Sequence, residues 1–470
     1  MSFFSELCIG DIRRAYREQR LTPLDVAQWC ISAWRAQEHL YHAWECFDET
    51  KLLQAAQHST EYLRSGRPER SLEGIPVGVK DIFNTVDFPT QMGSPLWSGF
   101  TPGNDARAVF NVKRAGGVIP GKTVTAEFAV HSLGKTLNPY SVAVTPGTSS
   151  SGSAVAVATG MVPVALGTQT AGSIVRPASF CGVWGCKPSF GLVPRTGMLK
   201  TTDSLDSVGY FVSHAADLRT VLDALRVHGR NFPISHAALH DLARQSPPVG
   251  RPWRVAVVRP YVWEHAPDYA RAALAAWVDK LAHRGTCDVK EVSLPAPMQR
   301  SHDVHETIYN RALAYYFKEE FTRAELISPV MNRLITAGQQ VSNSQYEAAL
   351  EEQVALARQM DAFFADFDVL VTLSTAGHAP IREQEEAPDS ALMWTLTHLA
   401  VVSAPAFVSP NGLPFGLQIA ARRYNDPLLF SFIDQLVAQG LLPARTFPAG
   451  HAGAAAPGGA ADSAALRAAV

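Results

Sequence analysis

Apolar and polar positions repeat with two different periods along the chain, and the switches between them outline its elements. From about residue 9 to 64 the apolar positions recur at helical spacing. Thr22-Pro23-Leu24-Asp25 supplies a cap and a first-turn proline for a helix predicted over 26–37. Residues 75–79, IPVGV, read as a short buried strand that delivers Lys80 at its end. An amphipathic segment follows at 106–115, with Asn104 or Asp105 as its candidate cap. The run 154–159 is apolar on every side and stops before Gly160, as a buried helix would, and 163–166 reads as a strand. Strands are predicted at 254–258, 289–294 and 368–373, and a helix at 269–283 makes the first two a βαβ unit. Residues from about 301 to 364 are mostly helical and rich in Tyr, Phe and Met; closing strands lie within 403–418 and a last helix at 427–439. Polar, proline-rich 231–251 reads as a surface excursion, and Ala/Gly-rich 449–470 as a disordered tail.

Composition narrows the function classes. Hydrophobic residues make up 47% and charged residues 18%, which is enough to bury a sizeable core and excludes a disordered chain. A net charge of −2 gives no sign of a nucleic-acid partner. The six cysteines are scattered with no CxxC pair, so buried free thiols in a reducing compartment are expected rather than a zinc ribbon or redox dithiol. No signal-peptide pattern opens the chain and no apolar run is long enough for a membrane span, so the expectation is a soluble cytoplasmic protein.

Two glycine-rich stretches carry candidate chemistry. Gly116 to Thr123, GGVIPGKT, satisfies the phosphate-loop pattern GxxxxGK[ST], but a phosphate loop needs a strand before it and a helix after it. Here a helical segment precedes and extended residues surround the motif, so it reads as a helix-to-strand turn. The second stretch, TPGTSSSGSAVAVATGMVPVALGTQTAGSIVRP from Thr145 to Pro177, places two serine-bearing turns around one buried unit. His302, Asp303, His305 and Glu306 lie close in sequence, but they lack a further ligand motif and are not read as a metal site.

The second stretch resembles the amidase signature family. Its serine-rich motif is matched by Gly147-Thr148-Ser149-Ser150-Ser151-Gly152-Ser153, its second motif by Ala171-Gly172-Ser173-Ile174-Val175-Arg176-Pro177, and its lysine by Gly78-Val79-Lys80-Asp81. The likeness is to malonamidase-like and to aryl-acylamidase or urethanase-like members. It implies an α/β fold, a single large domain with a central mixed β-sheet flanked by helices. Residues 1–70 would be a helical wrap and 71–448 the catalytic domain, with a signature core over 72–213 and a variable helical insert at about 298–365.

The resemblance further implies that Ser173 is the nucleophile, Ser149 a bridging serine held by a cis peptide, and Lys80 the base. The backbone of Thr170, Ala171, Gly172 and Ser173 would form the oxyanion hole, with Ser150, Gln169 and Arg176 in support. Such a site hydrolyses carbon–nitrogen bonds other than peptide bonds through an acyl-enzyme, in small amides, anilides, esters or carbamates. No cofactor or metal is implied; the partners expected are a small-molecule amide or carbamate and a second copy in a homodimer, with no nucleic acid and no membrane. Two alternatives stay open: an amidase-like subunit of a transamidating complex, and a non-catalytic binding protein.

Several positions depart from the family pattern. Ala171, Thr148 and Ser151 stand where glycine is usual, Gln169 where Asp is frequent, and the arginine falls three residues after the nucleophile rather than two. Ala171 would strain its turn if that position needs positive φ. Arg176 either binds a substrate carboxylate or holds its own loop. His131 and His214 belong to no motif that would pair them with a serine.

Overall fold

The computed structural model describes residues 3–384 and 386–446. The expected tail at 449–470 lies outside the described residues. Eleven strands form one mixed sheet: β1 (Trp44–Phe47), β2 (Val77–Lys80), β3 (Gly121–Thr123), β4 (Val164–Gln169), β5 (Trp184–Lys187), β6 (Ser207–Val212), β7 (Trp253–Val258), β8 (Cys287–Val292), β9 (Val369–Leu373), β10 (Ala400–Val408) and β11 (Pro414–Ala421). Their spatial order is β1-β3-β2-β4-β6-β5-β10-β11-β9-β7-β8. β2 runs parallel to both β3 and β4, and β7 to both β8 and β9, while the pairs through the middle of the sheet are antiparallel. This is the single α/β domain with a mixed sheet expected from the sequence.

The strands that hold the site are buried on both faces. Every residue of β2, β4 and β6 is buried, which accounts for near-continuous apolar runs instead of alternation. Helix Ser151–Ala158 is likewise buried along all eight residues. Small side chains let it sit against the sheet: Ser153 Oγ lies 2.7 Å from Thr123 Oγ1 and donates to Leu166 O at 2.8 Å. At Gly152 a Cβ would come within 2.4 Å of Ala43 O and Val124 N, so only glycine permits that approach. Gly160, at φ +68°, ends the turn after this helix.

Several expectations need adjusting. The helical run over 9–64 is three helices, Ile9–Arg17, Pro23–Tyr41 and Glu49–Arg64, and it is interrupted by edge strand β1. The interruption has a local cause: His42 turns left-handed at φ +50°, and the Glu38 carboxylate takes the N–H groups of Ala43 and Trp44 at 3.0 and 3.1 Å. The helix start at Pro23 follows the predicted cap, with Thr22 accepting from Asp25 N–H. At Arg107–Arg114, by contrast, Ala106 is the N-cap and no side chain caps it. Asp105 is engaged elsewhere, accepting from Val86 N–H at 2.9 Å and from Lys113 Nζ.

The glycine-rich octet ends in β3, with a helix before it and strand geometry within it. Lys122 is fully buried, ion-paired to Asp81 at 3.0 Å and hydrogen-bonded to Pro89 O and Thr90 Oγ1. It is committed to the core, with its charge paired inside the protein. The βαβ unit is formed by β7, helix Asp268–His283 and β8, and all six cysteines are free thiols. Helices Ser301–Tyr316, Pro329–Gln339 and Asn343–Phe363 share a second apolar cluster through Ile308, Leu313, Met331, Ile335, Leu356 and Met360. No helix among the described residues is long and apolar enough to cross a membrane.

Gly152→Ala is expected to lower unfolding free energy by about 3 kcal/mol in urea denaturation, because the methyl meets two backbone segments that cannot both give way.

Candidate active site

Lys80 ends β2 with its side chain fully buried, and its neighbours are hydroxyls rather than carboxylates. Nζ lies 2.8 Å from Ser149 Oγ, 3.0 Å from Ser150 Oγ and 3.0 Å from Thr168 Oγ1. Burial without a counter-ion in contact holds its ammonium well below the ordinary lysine range, against the opposing pull of Asp206 and with a smaller push from Arg176. A neutral amine suits this cage. It has two N–H groups to donate and one lone pair to accept, and Ser150 Oγ already spends its own hydrogen on Thr168 O at 3.3 Å.

Ser149 and Ser150 reach Lys80 from a short turn, Thr148–Ser150, that leads into helix Ser151–Ala158. Thr148 is left-handed at φ +54°, which a β-branched residue adopts only under constraint. The constraint is visible: Arg176 Nη2 donates to Thr148 Oγ1 at 2.9 Å. The peptide bond before Ser149 is trans, where the resemblance implied cis. Ser173 Oγ has no hydrogen-bond partner among the described residues, so the implied link from Ser173 to Ser149 is not closed in this structure. The Ser149 carbonyl is fixed instead by Thr125 Oγ1 at 3.1 Å and Ala126 N–H at 3.4 Å.

Three carbonyls of the turn carrying Ser173 are tied down, and the Thr170 hydroxyl is held by Asp206. Thr170 O accepts from His305 Nε2 at 2.8 Å, Ala171 O from Thr395 Oγ1 at 2.8 Å, and Gly172 O from Arg176 N–H at 2.8 Å. Meanwhile the N–H groups of Ala171, Gly172 and Ser173 make no hydrogen bond among the described residues. Three tied acceptors beside three unspent donors is the arrangement a developing oxyanion needs. Ala171 keeps negative φ, so its methyl brings no backbone strain. Gly172 is required for another reason: a Cβ there would meet the Asp389 carboxylate at 2.4 Å.

Gln169 explains why an amide serves where the family often has a carboxylate. Its Oε1 accepts from Ile174 and Val175 N–H at 2.8 and 3.0 Å, capping helix Val175–Phe180, and its Nε2 donates to Thr395 Oγ1 at 2.9 Å. A carboxylate would lack that last donor. Arg176 is buried and doubly neutralised, by Asp389 at Nη1 and by Glu386 at Nε, 2.9 Å away. Nη2 donates to Thr148 Oγ1, while Nε is ion-paired to Glu386 without a hydrogen bond.

A scan against family models matches residues 25–430 to the amidase model, well over half of the chain. The chain belongs to the amidase signature family. The A subunit of the glutamyl-tRNA(Gln) amidotransferase from Chloroflexus aggregans is 29% identical over 468 residues, covering 90% of this chain and 94% of that protein. Its namesake from Anaeromyxobacter sp. is 32% identical over 410 residues, covering 78% and 83%. The solved peptide amidase from Stenotrophomonas maltophilia shares the fold with TM-score 0.81 over 96% of this chain and all of that one, at 24% identity.

In this amidase-family chain the fold brings Lys80 together with Ser149 and Ser150, as the motifs implied, whereas other residues of the site were missed by sequence reasoning. Thr168 carried a signal, since it lies in the same strand run as Gln169 two positions before Thr170. Thr395, His305, Glu386 and Asp389 gave none, because each arrives from more than 130 residues away. His305, considered above only with the discounted metal cluster, is buried, and burial pushes its imidazole down to about 4. As a neutral ring beside a carbonyl it must carry its proton on Nε2. His214 lies elsewhere, 3.2 Å from Phe4 O; His131 has a solvent-accessible edge but stands within reach of Arg176, Asp389 and His305, desolvation pushes its imidazole down to about 4, and it is bonded to none of Lys80, Ser149 and Ser173.

Arg176→Leu is expected to cost about 3 kcal/mol of stability, since it strands two carboxylates, and adding Glu386→Gln and Asp389→Asn should restore most of it in urea denaturation.

Proposed function

We propose that the chain is a serine amidohydrolase acting on carbon–nitrogen bonds of small amides, anilides or carbamates through an acyl-enzyme. The observation that carries this reading is the buried Lys80 caged by three hydroxyls, one of them Ser149 of the serine-rich motif. In the proposed reaction Ser173 Oγ attacks the substrate carbonyl and its proton passes through Ser149 to neutral Lys80. The N–H groups of Ala171, Gly172 and Ser173 receive the oxyanion, where one donor is worth about 3 kcal/mol of barrier. Lys80 then returns the proton through Ser149 to the leaving amine as the C–N bond breaks. Water adds to the acyl-Ser173 ester and releases the acid, and the same base takes its proton. A small rotation of Ser173 or Ser149 closes the relay as substrate enters, since catalytic hydrogen bonds tighten on binding.

With the Arg176 charge paired to Glu386 and Asp389, substrates recognised by a free carboxylate are disfavoured. A second reading is favoured by the names of the relatives: a subunit that releases ammonia from an amide and passes it to a partner protein. The two differ in what the isolated chain does.

The test is hydrolysis of a panel of p-nitroanilides, aryl carbamates and malonamate-like acids by wild type and Ser173→Ala. Turnover of the anilides or carbamates, lost by at least about 10³-fold in the variant, is the expected result. Inactivity on the whole panel, with glutamine hydrolysed only when partner proteins are added, would replace it with the second reading. Because Lys80 must be neutral to accept the proton, kcat/KM should rise with pH as one group deprotonates, and should do so below the pH at which free lysine titrates.

A further inference from the structure

Asp206, immediately before β6, is buried and has no cation in contact among the described residues. Instead five donors converge on it. Oδ1 accepts from Thr170 Oγ1 at 2.8 Å, Thr201 Oγ1 at 2.6 Å and Thr202 Oγ1 at 3.1 Å; Oδ2 accepts from the N–H groups of Thr201 and Thr202 at 2.8 and 3.0 Å. Four of these are local and describe a loop brace. The fifth comes from the oxyanion turn, 36 residues away in sequence.

Thr170 sits two residues beyond Thr168, whose hydroxyl touches Lys80. One stretch of chain therefore has Lys80 at one residue and Asp206 at the next but one. We infer that Asp206 is a positioning residue of the hydrolytic site, holding the oxyanion turn through the Thr170 hydroxyl and setting the electrostatic field in which Lys80 works. This rests on the amidohydrolase reading. The charged groups facing Lys80 are Asp206 and, opposing it, Arg176 from helix Val175–Phe180; its direct contacts are the hydroxyls of Ser149, Ser150 and Thr168. Asp206 in turn faces Tyr309 from helix Ser301–Tyr316, and nearby Lys200 is paired with Asp203 at the surface. A brace of five donors already uses an acceptor-only carboxylate, but a brace alone would leave the titration of Lys80 where it is. A carboxylate placed to act on Lys80 moves it, because its negative potential favours the protonated amine and keeps Lys80 basic enough to take a proton from serine.

The test is the rate of Ser173 labelling by a fluorophosphonate probe as a function of pH, followed by intact mass, for wild type, Asp206→Asn, Thr170→Val and Ser173→Ala. Both Asp206→Asn and Thr170→Val should label at least tenfold more slowly at the optimum. Only Asp206→Asn should also move the rising limb to lower pH, since removing the negative charge eases deprotonation of Lys80. Wild-type rate and limb in Asp206→Asn would overturn the inference, and so would a slower rate with an unmoved limb, which is the behaviour of a brace. If Asp206→Asn does not fold, a wild-type rate in Thr170→Val overturns it. Failure of the wild type to label at Ser173 would overturn the amidohydrolase reading and this inference with it, whereas labelled wild type with unchanged variants defeats the inference alone.

Discussion

Burying a lysine with no carboxylate in contact is the constraint on which the site depends. An ammonium in that position would be desolvated with no carboxylate in contact, so burial favours the neutral amine, and a neutral amine is a base. The sheet makes the burial possible: β2 lies between parallel β3 and β4 and carries Lys80 at its end, beneath the all-small helix Ser151–Ala158. Gly152 lets that helix approach closely enough to keep solvent out, and the turn before it supplies two of the three hydroxyls.

Comparison of the buried lysines shows that burial alone does not make the function. Lys122, across from Val79 in the sheet, is paired with Asp81 and held as a structural cation. Lys187 ends β5 and donates to the Pro188 and Leu399 carbonyls; burial pulls it down to about 8, with Asp426 pulling the other way. Lys80 alone of these three is surrounded by hydroxyls able to exchange a proton with it. The arginine is treated differently: Arg176 is neutralised by two carboxylates and donates to Thr148, so its charge is balanced inside its own loop.

What was legible in the sequence was whatever is local. The strand ending at Lys80, the helix stopped before Gly160 and the cap at Thr22 all depend on neighbours within a few residues and are found in place, although that helix begins at Ser151, three residues before the predicted run. The glycine octet was also legible, because a phosphate loop has a required order of elements that this chain lacks. Edge strand β1 was hidden inside a helical run, since the left-handed His42 and the Glu38 side chain that end the helix leave no periodicity. Most hidden were the groups that hold the turn carrying Ser173. Thr395, His305 and Asp389 act through tertiary contacts, and a lone threonine, histidine or aspartate in a helix or loop carries no mark of its partner. Thr148, where the family has glycine, is left-handed and bonded to Arg176, a pairing that no local pattern announces.

The central claim is that Lys80 is a neutral amine in the resting protein, and the most direct measurement is an NMR titration of protein labelled with [ε-13C]lysine, using Lys80→Met to assign the resonance. The account predicts a Cε shift characteristic of the free amine at neutral pH, with protonation only on acidification. An ammonium shift that persists into the range where free lysine titrates would contradict it, because a charged Lys80 cannot accept the serine proton.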